Sequence, residues 1–120
     1  MTIKTGQQLI AEAKLRISEV TARDVQKRMA AGETITLLDI REANEWNLGH
    51  IPGAAWLSRG GMETAIEARV PRDATVVLYC ASGNRSALAA VTLNEMGYAS
   101  VASMAGGFKD WVAIGGDVAD

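Results

Sequence analysis

One thiol is available to this chain. Cys80 is its only cysteine, and it closes an apolar run, Val76-Val77-Leu78-Tyr79. Ala81, Ser82, Gly83 and Asn84 follow, then Arg85, Ser86 and an alanine-rich segment. The pattern reads as a buried strand, a tight loop and a helix start. Such a strand delivers the thiol to the loop mouth. The loop's N–H groups and the positive end of the helix then favour a thiolate or another anion there. The thiolate is the nucleophilic form of cysteine. Helix N-termini and nearby cations lower its pKa from about 8.5 to as low as ~3.5–7.5. Gly83 and Asn84 tolerate positive φ, which lets consecutive amides point inward. Arg85 has two readings: it attracts an anionic substrate, or it folds back to brace the loop. Ser82 and Ser86 can donate hydrogen bonds to sulfur. A buried, inert cysteine at a strand end is the bland alternative. Packing alone, however, has no use for a small polar loop closed by arginine directly after a thiol.

Spacing separates two chemistries. Cys-x5-Arg is the pattern of cysteine phosphatases, whose loop cradles a phosphoryl group. Here Ala81 to Asn84 leave only four residues between Cys80 and Arg85. The smaller ring of amides suits one extra sulfur, about 2.05 Å from the first, better than a tetrahedral phosphate.

The elements around this loop alternate. A helix is expected over about residues 5–16, then a short extended piece at 18–20. Thr21 with Asp24 resembles a capping box. The helix it opens carries Val25 and Met29 on one face and stops at Gly32. Strands are expected at 35–40, 54–57, 75–79 and 100–102, with helical segments at 41–47, 61–69, 85–96 and 108–114. Gly49-His50-Ile51-Pro52-Gly53 must be a loop. Alanines at 87, 89 and 90 allow the fifth helix to approach a sheet closely. Strands alternating with helices give an α/β fold: an open, mainly parallel sheet of about five strands with helices on both faces. Ligands of such sheets sit beyond the carboxyl ends of the strands. Cys80 stands at one such end and Asp39 at another.

Composition bounds the remaining possibilities. The 120 residues make one domain, and 48% of them are hydrophobic. A net charge of -2 gives no reason to expect nucleic acid or an anionic membrane as partner. No stretch approaches the roughly 20 apolar residues of a membrane span. The polar N-terminus lacks a signal-peptide core. A lone cysteine forms no internal disulfide, which suits a reducing compartment. The expectation is a soluble, cytoplasmic protein. With one cysteine and one histidine, no metal site is expected.

Three stretches together resemble the rhodanese family of sulfurtransferases. Cys80-Ala81-Ser82-Gly83-Asn84-Arg85-Ser86 looks like the family's active loop. Leu37-Leu38-Asp39-Ile40-Arg41, Glu45-Trp46 and Gly49-His50-Ile51-Pro52-Gly53-Ala54 look like its upstream signature. Gly106-Gly107-Phe108 with Trp111 looks like its closing motif. The resemblance runs from about residue 18 to 116, so residues 1–17 read as a helical extension and 18–120 as the rhodanese-like domain. The extension is expected to pack on the domain or on a partner, and a homodimer through it is one expectation.

The resemblance implies thiosulfate sulfurtransferase activity without any cofactor. Cys80 attacks the outer sulfur of thiosulfate or a related donor, and the resulting persulfide passes its sulfur to cyanide or a thiol. The amides of residues 81–86 and Arg85 would hold the anion. Arg59, just after the third strand, would add a basic residue facing the pocket; an exposed loop arginine is the alternative. Asp39 and Arg41 read as structural, with Asp39 accepting backbone N–H groups and Arg41 pairing with Glu45 four residues on. His50 is placed in a turn, where it satisfies backbone groups. Trp46, Trp56 and Trp111 read as packing. The alternatives are a cysteine phosphatase or arsenate reductase on the same fold, or a non-catalytic interaction module.

Overall fold

The computed structural model describes residues 2–120. The order of elements is α1 (Gly6–Arg16), β1 (Ser18–Val20), α2 (Ala22–Ala30), β2 (Thr36–Asp39), α3 (Ala43–Asn47), β3 (Ala55–Trp56), a 3-10 turn (Arg59–Gly61), α4 (Met62–Arg69), β4 (Val76–Tyr79), α5 (Asn84–Glu95), β5 (Val101–Met104) and α6 (Gly107–Ala113). The five strands form one sheet in the order β1-β5-β4-β2-β3. Every neighbouring pair is parallel. This is the α/β architecture expected from the alternation of elements.

The strands differ from the expected ones only at their ends. Ile35 and Ile40 fall outside β2, and the last strand runs two residues further, to Met104. Pairing partners decide where a strand ends, and those are not local.

Both faces of the sheet are covered, so β4 is buried along its whole length. Side chains alternate between the faces. Leu38, Ile40, Leu78 and Cys80 join Ile66 of α4 and Ala89, Ala90 and Leu93 of α5 in one core. Leu37, Val77 and Tyr79 join Val25 of α2 and Trp111 of α6 in the other. The alanines of α5 do what was expected of them: Ala87, Ala89 and Ala90 are wholly buried.

The caps are local and form as read. Thr21 Oγ1 accepts from Asp24 N at 3.0 Å, and Asp24 Oδ2 accepts from Thr21 N at 3.1 Å. Thr5 and Gln8 make the same reciprocal pair at the start of α1. That helix packs against α5, buries Ala13 and leaves Leu9 and Leu15 exposed. Among the described residues no helix is long and apolar enough to cross a membrane.

The chain runs outward from β2 to β3 on one side and from β4 to β5 on the other. The crevice at such a reversal lies between β2 and β4, at their carboxyl ends. Asp39 ends β2, and Cys80 directly follows β4.

Candidate active site

Cys80 follows Tyr79, the last residue of β4, and only 1% of its surface is exposed. Its Sγ accepts from Gly83 N at 3.2 Å and from Ser86 N at 3.4 Å. The Ser86 hydroxyl lies 3.5 Å from the same sulfur. The loop therefore closes as a ring of donors around one atom. Gly83 makes the closure possible with φ of 96°, a left-handed conformation that costs glycine nothing. A side chain there would also stand 3.0 Å from Gly106 N.

The amides point inward because the carbonyls are held outward. Cys80 O accepts from Phe108 N at 2.8 Å, and Ala81 O accepts from Lys109 N at 3.1 Å. Both donors lie in the first turn of α6, whose amides have no partner within the helix. Gly107 permits this approach: a Cβ there would stand 2.7 Å from Ala81 O. The Gly106-Gly107-Phe108 motif thus shapes the cysteine loop from the outside.

Two opposing effects act on the thiol. Burial pushes its pKa up, because an anion loses water. The Ser86 hydroxyl and the amides of Ser86, Ser82 and Gly83 pull it down, and the net direction is below the ordinary thiol value. The aligned peptides of α5, which begins at Asn84, point their positive end the same way.

Arg85 faces Glu45. Its Nη1 donates to Glu45 Oε1 at 2.9 Å and its Nη2 to Glu45 Oε2 at 3.1 Å. This two-point pair holds Glu45 below its usual carboxylate range. It joins the start of α5 to α3 across the mouth of the crevice, which is the bracing geometry. The Arg85 charge is still felt at Cys80.

One expected pairing is corrected here. Arg41 does not pair with Glu45. Its Nε donates to Asp39 Oδ1 at 3.0 Å, and its Nη2 donates to Asp39 Oδ2 at 2.6 Å and to Gly49 O at 2.8 Å. The reason is geometric. Arg41 precedes α3 instead of lying on it, so four-residue helical spacing does not bring it to Glu45. Asp39 does accept a backbone bond, from Arg41 N at 3.0 Å. The Arg41 guanidinium also lies 4.4 Å from the Phe108 ring centre.

Arg59 is the predicted site residue that is not gathered around the thiol. Its Nη1 pairs with Glu63 Oε1 at 2.8 Å and its Nη2 reaches Thr92 Oγ1 at 3.4 Å. It lines a groove between α1 and α5 with Leu9, Glu12, Leu88 and Thr92. It sits in the 3-10 turn Arg59–Gly61, and its side chain lies along the flank of α5 at Thr92. Of the remaining loop residues, Ala81 is half-buried and contributes its carbonyl to α6, while Ser82 and Asn84 are exposed.

His50 lies in an isolated antiparallel bridge to Ala119, between the turns at Leu48 and Pro52–Gly53 and not in a turn itself, and its role there is with backbone groups. Its backbone pairs with Ala119 in both directions, at 2.9 Å and 2.8 Å, and its Nδ1 lies 3.2 Å from Trp46 O. Its ring stacks on Trp46 at 3.4 Å. Trp56 Nε1 donates to Arg41 O at 2.9 Å, and Trp111 Nε1 to Asp117 O at 2.8 Å. Among the described residues no three His, Cys, Asp or Glu side chains gather as a metal site.

Sequence reasoning missed Ser103. This fully buried serine of β5 places its Oγ 2.8 Å from Ser86 Oγ. The expected last strand stops at residue 102, so the sequence alone does not place Ser103 on it; β5 as formed runs from Val101 to Met104.

Comparison with known proteins agrees with this geometry. The pattern of the family described as "Rhodanese-like domain" matches residues 21–114. A sulfurtransferase of Allochromatium vinosum is 33% identical over 99 residues, covering 82% of this chain and 92% of that protein. Thiosulfate sulfurtransferase GlpE of Pseudoalteromonas translucida is 36% identical over 81 residues, covering 68% and 76%. Other curated relatives are longer, and the chain spans 24% and 58% of the lengths of two of them. A solved structure from Rhodopseudomonas palustris superposes with a TM-score of 0.89 at 34% identity, over 99% of this chain and 98% of that one. It is described as a protein of unknown function and possible tyrosine phosphatase. The family pattern runs from the cap of α2 to the end of α6 and takes in the thiol loop, the Asp39–Arg41 pair and the glycines that shape both. The chain belongs to the rhodanese-like domain family, among sulfurtransferase relatives.

Proposed function

We propose that this protein carries sulfane sulfur as a persulfide on Cys80. It takes the sulfur from thiosulfate or a related persulfide donor and delivers it to a thiol, or to cyanide in vitro. One observation carries the reading: a lone buried sulfur closes a four-residue loop and receives the Gly83 amide at 3.2 Å and the Ser86 amide of the first turn of α5 at 3.4 Å. The name of the Pseudoalteromonas relative supports thiosulfate as the donor.

In the first step the Cys80 thiolate attacks the outer sulfur of thiosulfate. A sulfur–sulfur bond forms to Cys80, the bond to the sulfonate sulfur breaks, and sulfite leaves with the electron pair. The negative charge now lies on the outer sulfur of the persulfide. In the second step cyanide or a thiolate attacks that outer sulfur, and Cys80 leaves as the thiolate it was. The chemistry is covalent catalysis through two half-reactions. The amides of residues 81–86 stabilise the anions of both steps, as oxyanion donors do. Arg85 supplies a positive field at the mouth while Glu45 holds it in place. No cofactor enters either step.

The test is intact mass after thiosulfate treatment. The wild type should gain one sulfur, then lose it to cyanide as thiocyanate, and Cys80→Ser should do neither. A wild-type protein that never gains the sulfur overturns the proposal. The description of the Rhodopseudomonas structure favours a second reading, a phosphatase. The four-residue loop, one residue shorter than the phosphatase pattern, argues against it. Turnover of an aryl phosphate, lost in Cys80→Ser, would decide for the phosphatase.

A further inference from the structure

One buried hydroxyl adjoins the thiol, and a second, from β5, stands behind it. Ser86 Oγ lies 3.5 Å from Cys80 Sγ and 2.8 Å from Ser103 Oγ. Both serines are fully buried, so water does not compete for them. A hydroxyl has one hydrogen to give and lone pairs to receive with, and its hydrogen rotates freely. Ser86 therefore has two complete arrangements. With a protonated thiol, Sγ donates to Ser86 Oγ and the Ser86 hydrogen goes to Ser103 Oγ. With a thiolate, Ser103 donates to Ser86 Oγ and the Ser86 hydrogen goes to sulfur. No heavy atom moves between the two.

We infer that Ser103 is a positioning residue for the Cys80 thiolate, acting through Ser86. Its hydroxyl fills the acceptor side of Ser86 Oγ and so keeps the Ser86 hydrogen on the sulfur while the sulfur is charged. The kinetic consequence rests on the persulfide reading above. When the persulfide forms, the charge moves to the outer sulfur and Sγ becomes neutral. When the acceptor removes the outer sulfur, the bond to Sγ breaks and its electron pair returns to Cys80. Ser86, oriented by Ser103, meets that charge as it appears. A better-stabilised thiolate is a better leaving group, so the pair accelerates sulfur delivery. Arg85 of α5 carries the charge that reaches Cys80, and Glu45 and Glu42 act on it in turn. The other elements packed on the loop bring Lys109 and Asp110 of α6 and the Asp39–Arg41 pair after β2. Replacing a neutral serine leaves all of these charges unaltered.

The test is a double-mutant cycle on the thiol itself. Thiolate formation is followed by ultraviolet absorbance and by the alkylation rate against pH, and the sole cysteine makes both signals specific. Ser103→Ala should raise the titration midpoint and slow alkylation below that midpoint by about three- to tenfold. Ser86→Ala should raise it at least as far, and the double variant should match Ser86→Ala. Ser103→Thr keeps the hydroxyl and should stay near the wild type, whereas the similarly shaped Ser103→Val should not. That second pair decides the question if Ser103→Ala does not fold. An unchanged midpoint in Ser103→Ala or Ser103→Val overturns the inference. So does a Ser103→Ala effect that persists undiminished without the Ser86 hydroxyl. The titration needs no sulfur donor, so a protein that obeys the cycle but takes no sulfur from thiosulfate refutes the function and leaves the relay standing.

Discussion

Two neighbouring strands end side by side in polar residues, and they end differently. At the end of β2, Asp39 and Arg41 satisfy one another. Their side chains are 0% and 6% exposed, and Arg41 adds Gly49 O and the Phe108 ring to its contacts. At the end of β4, the donors of the loop converge on Cys80 Sγ, and Arg85, whose charge reaches it, is committed to Glu45. One end is a buried charge pair matched within itself. The other is an arrangement of dipoles waiting for an anion. Burial and polarity are common to both, so neither property distinguishes the end proposed to react. The distinction is whether the groups' hydrogen-bonding capacity is already matched by opposite charge.

Breaking each end should therefore damage a different property. The largest effect on stability is expected at β2. Asp39→Ala leaves the Arg41 guanidinium buried without its partner, which costs about 3–5 kcal/mol. Urea unfolding should show the midpoint falling steeply, with activity following the folded fraction. Cys80→Ser, by contrast, should keep a midpoint close to that of the wild type while losing sulfur uptake altogether. A stable, fully active Asp39→Ala would erase the contrast between the two strand ends.

Glu45→Gln tests the border between them. The pair it breaks is partly exposed, 37% on the Arg85 side and 29% on the Glu45 side, so solvent screens it. The stability cost should be about 0.5–1 kcal/mol. Sulfur uptake should slow by about tenfold, because the start of α5 loses its brace and a small displacement of donors is costly. The stability term has a pH signature. Arg85 holds Glu45 below its ordinary carboxylate value, so the pair's contribution is complete above pH 4.5 and is lost as pH falls through the lowered value. The wild type should thus converge on Glu45→Gln in acid. Faster sulfur uptake in Glu45→Gln would mean instead that a released Arg85 binds the donor directly.

The smallest effect is expected at Arg59. Its ion pair with Glu63 is exposed, and its groove lies against α1 and not against the thiol loop. Arg59→Ala should change the rate of sulfur uptake by less than about twofold and stability by less than about 0.5 kcal/mol. A large fall in thiosulfate affinity would return Arg59 to the site.

Much of this molecule is legible in its sequence. Alternating strands and helices, the Thr21–Asp24 cap and the Cys80 loop all follow from residues within a few positions of one another. The proposed nucleophile is legible for the same reason: the strand, the glycine and the helix that frame Cys80 are contiguous. Tertiary structure decided who partners whom. Arg41 takes Asp39 and leaves Glu45 to Arg85, forty positions away. Ser103 meets Ser86 only because β5 pairs with β4. The loop carbonyls turn outward only because Gly107 lets α6 approach them. Local spacing determines what an element is, through backbone sterics and side-chain periodicity. The register between strands determines which polar groups meet, and through them how the sulfur is held.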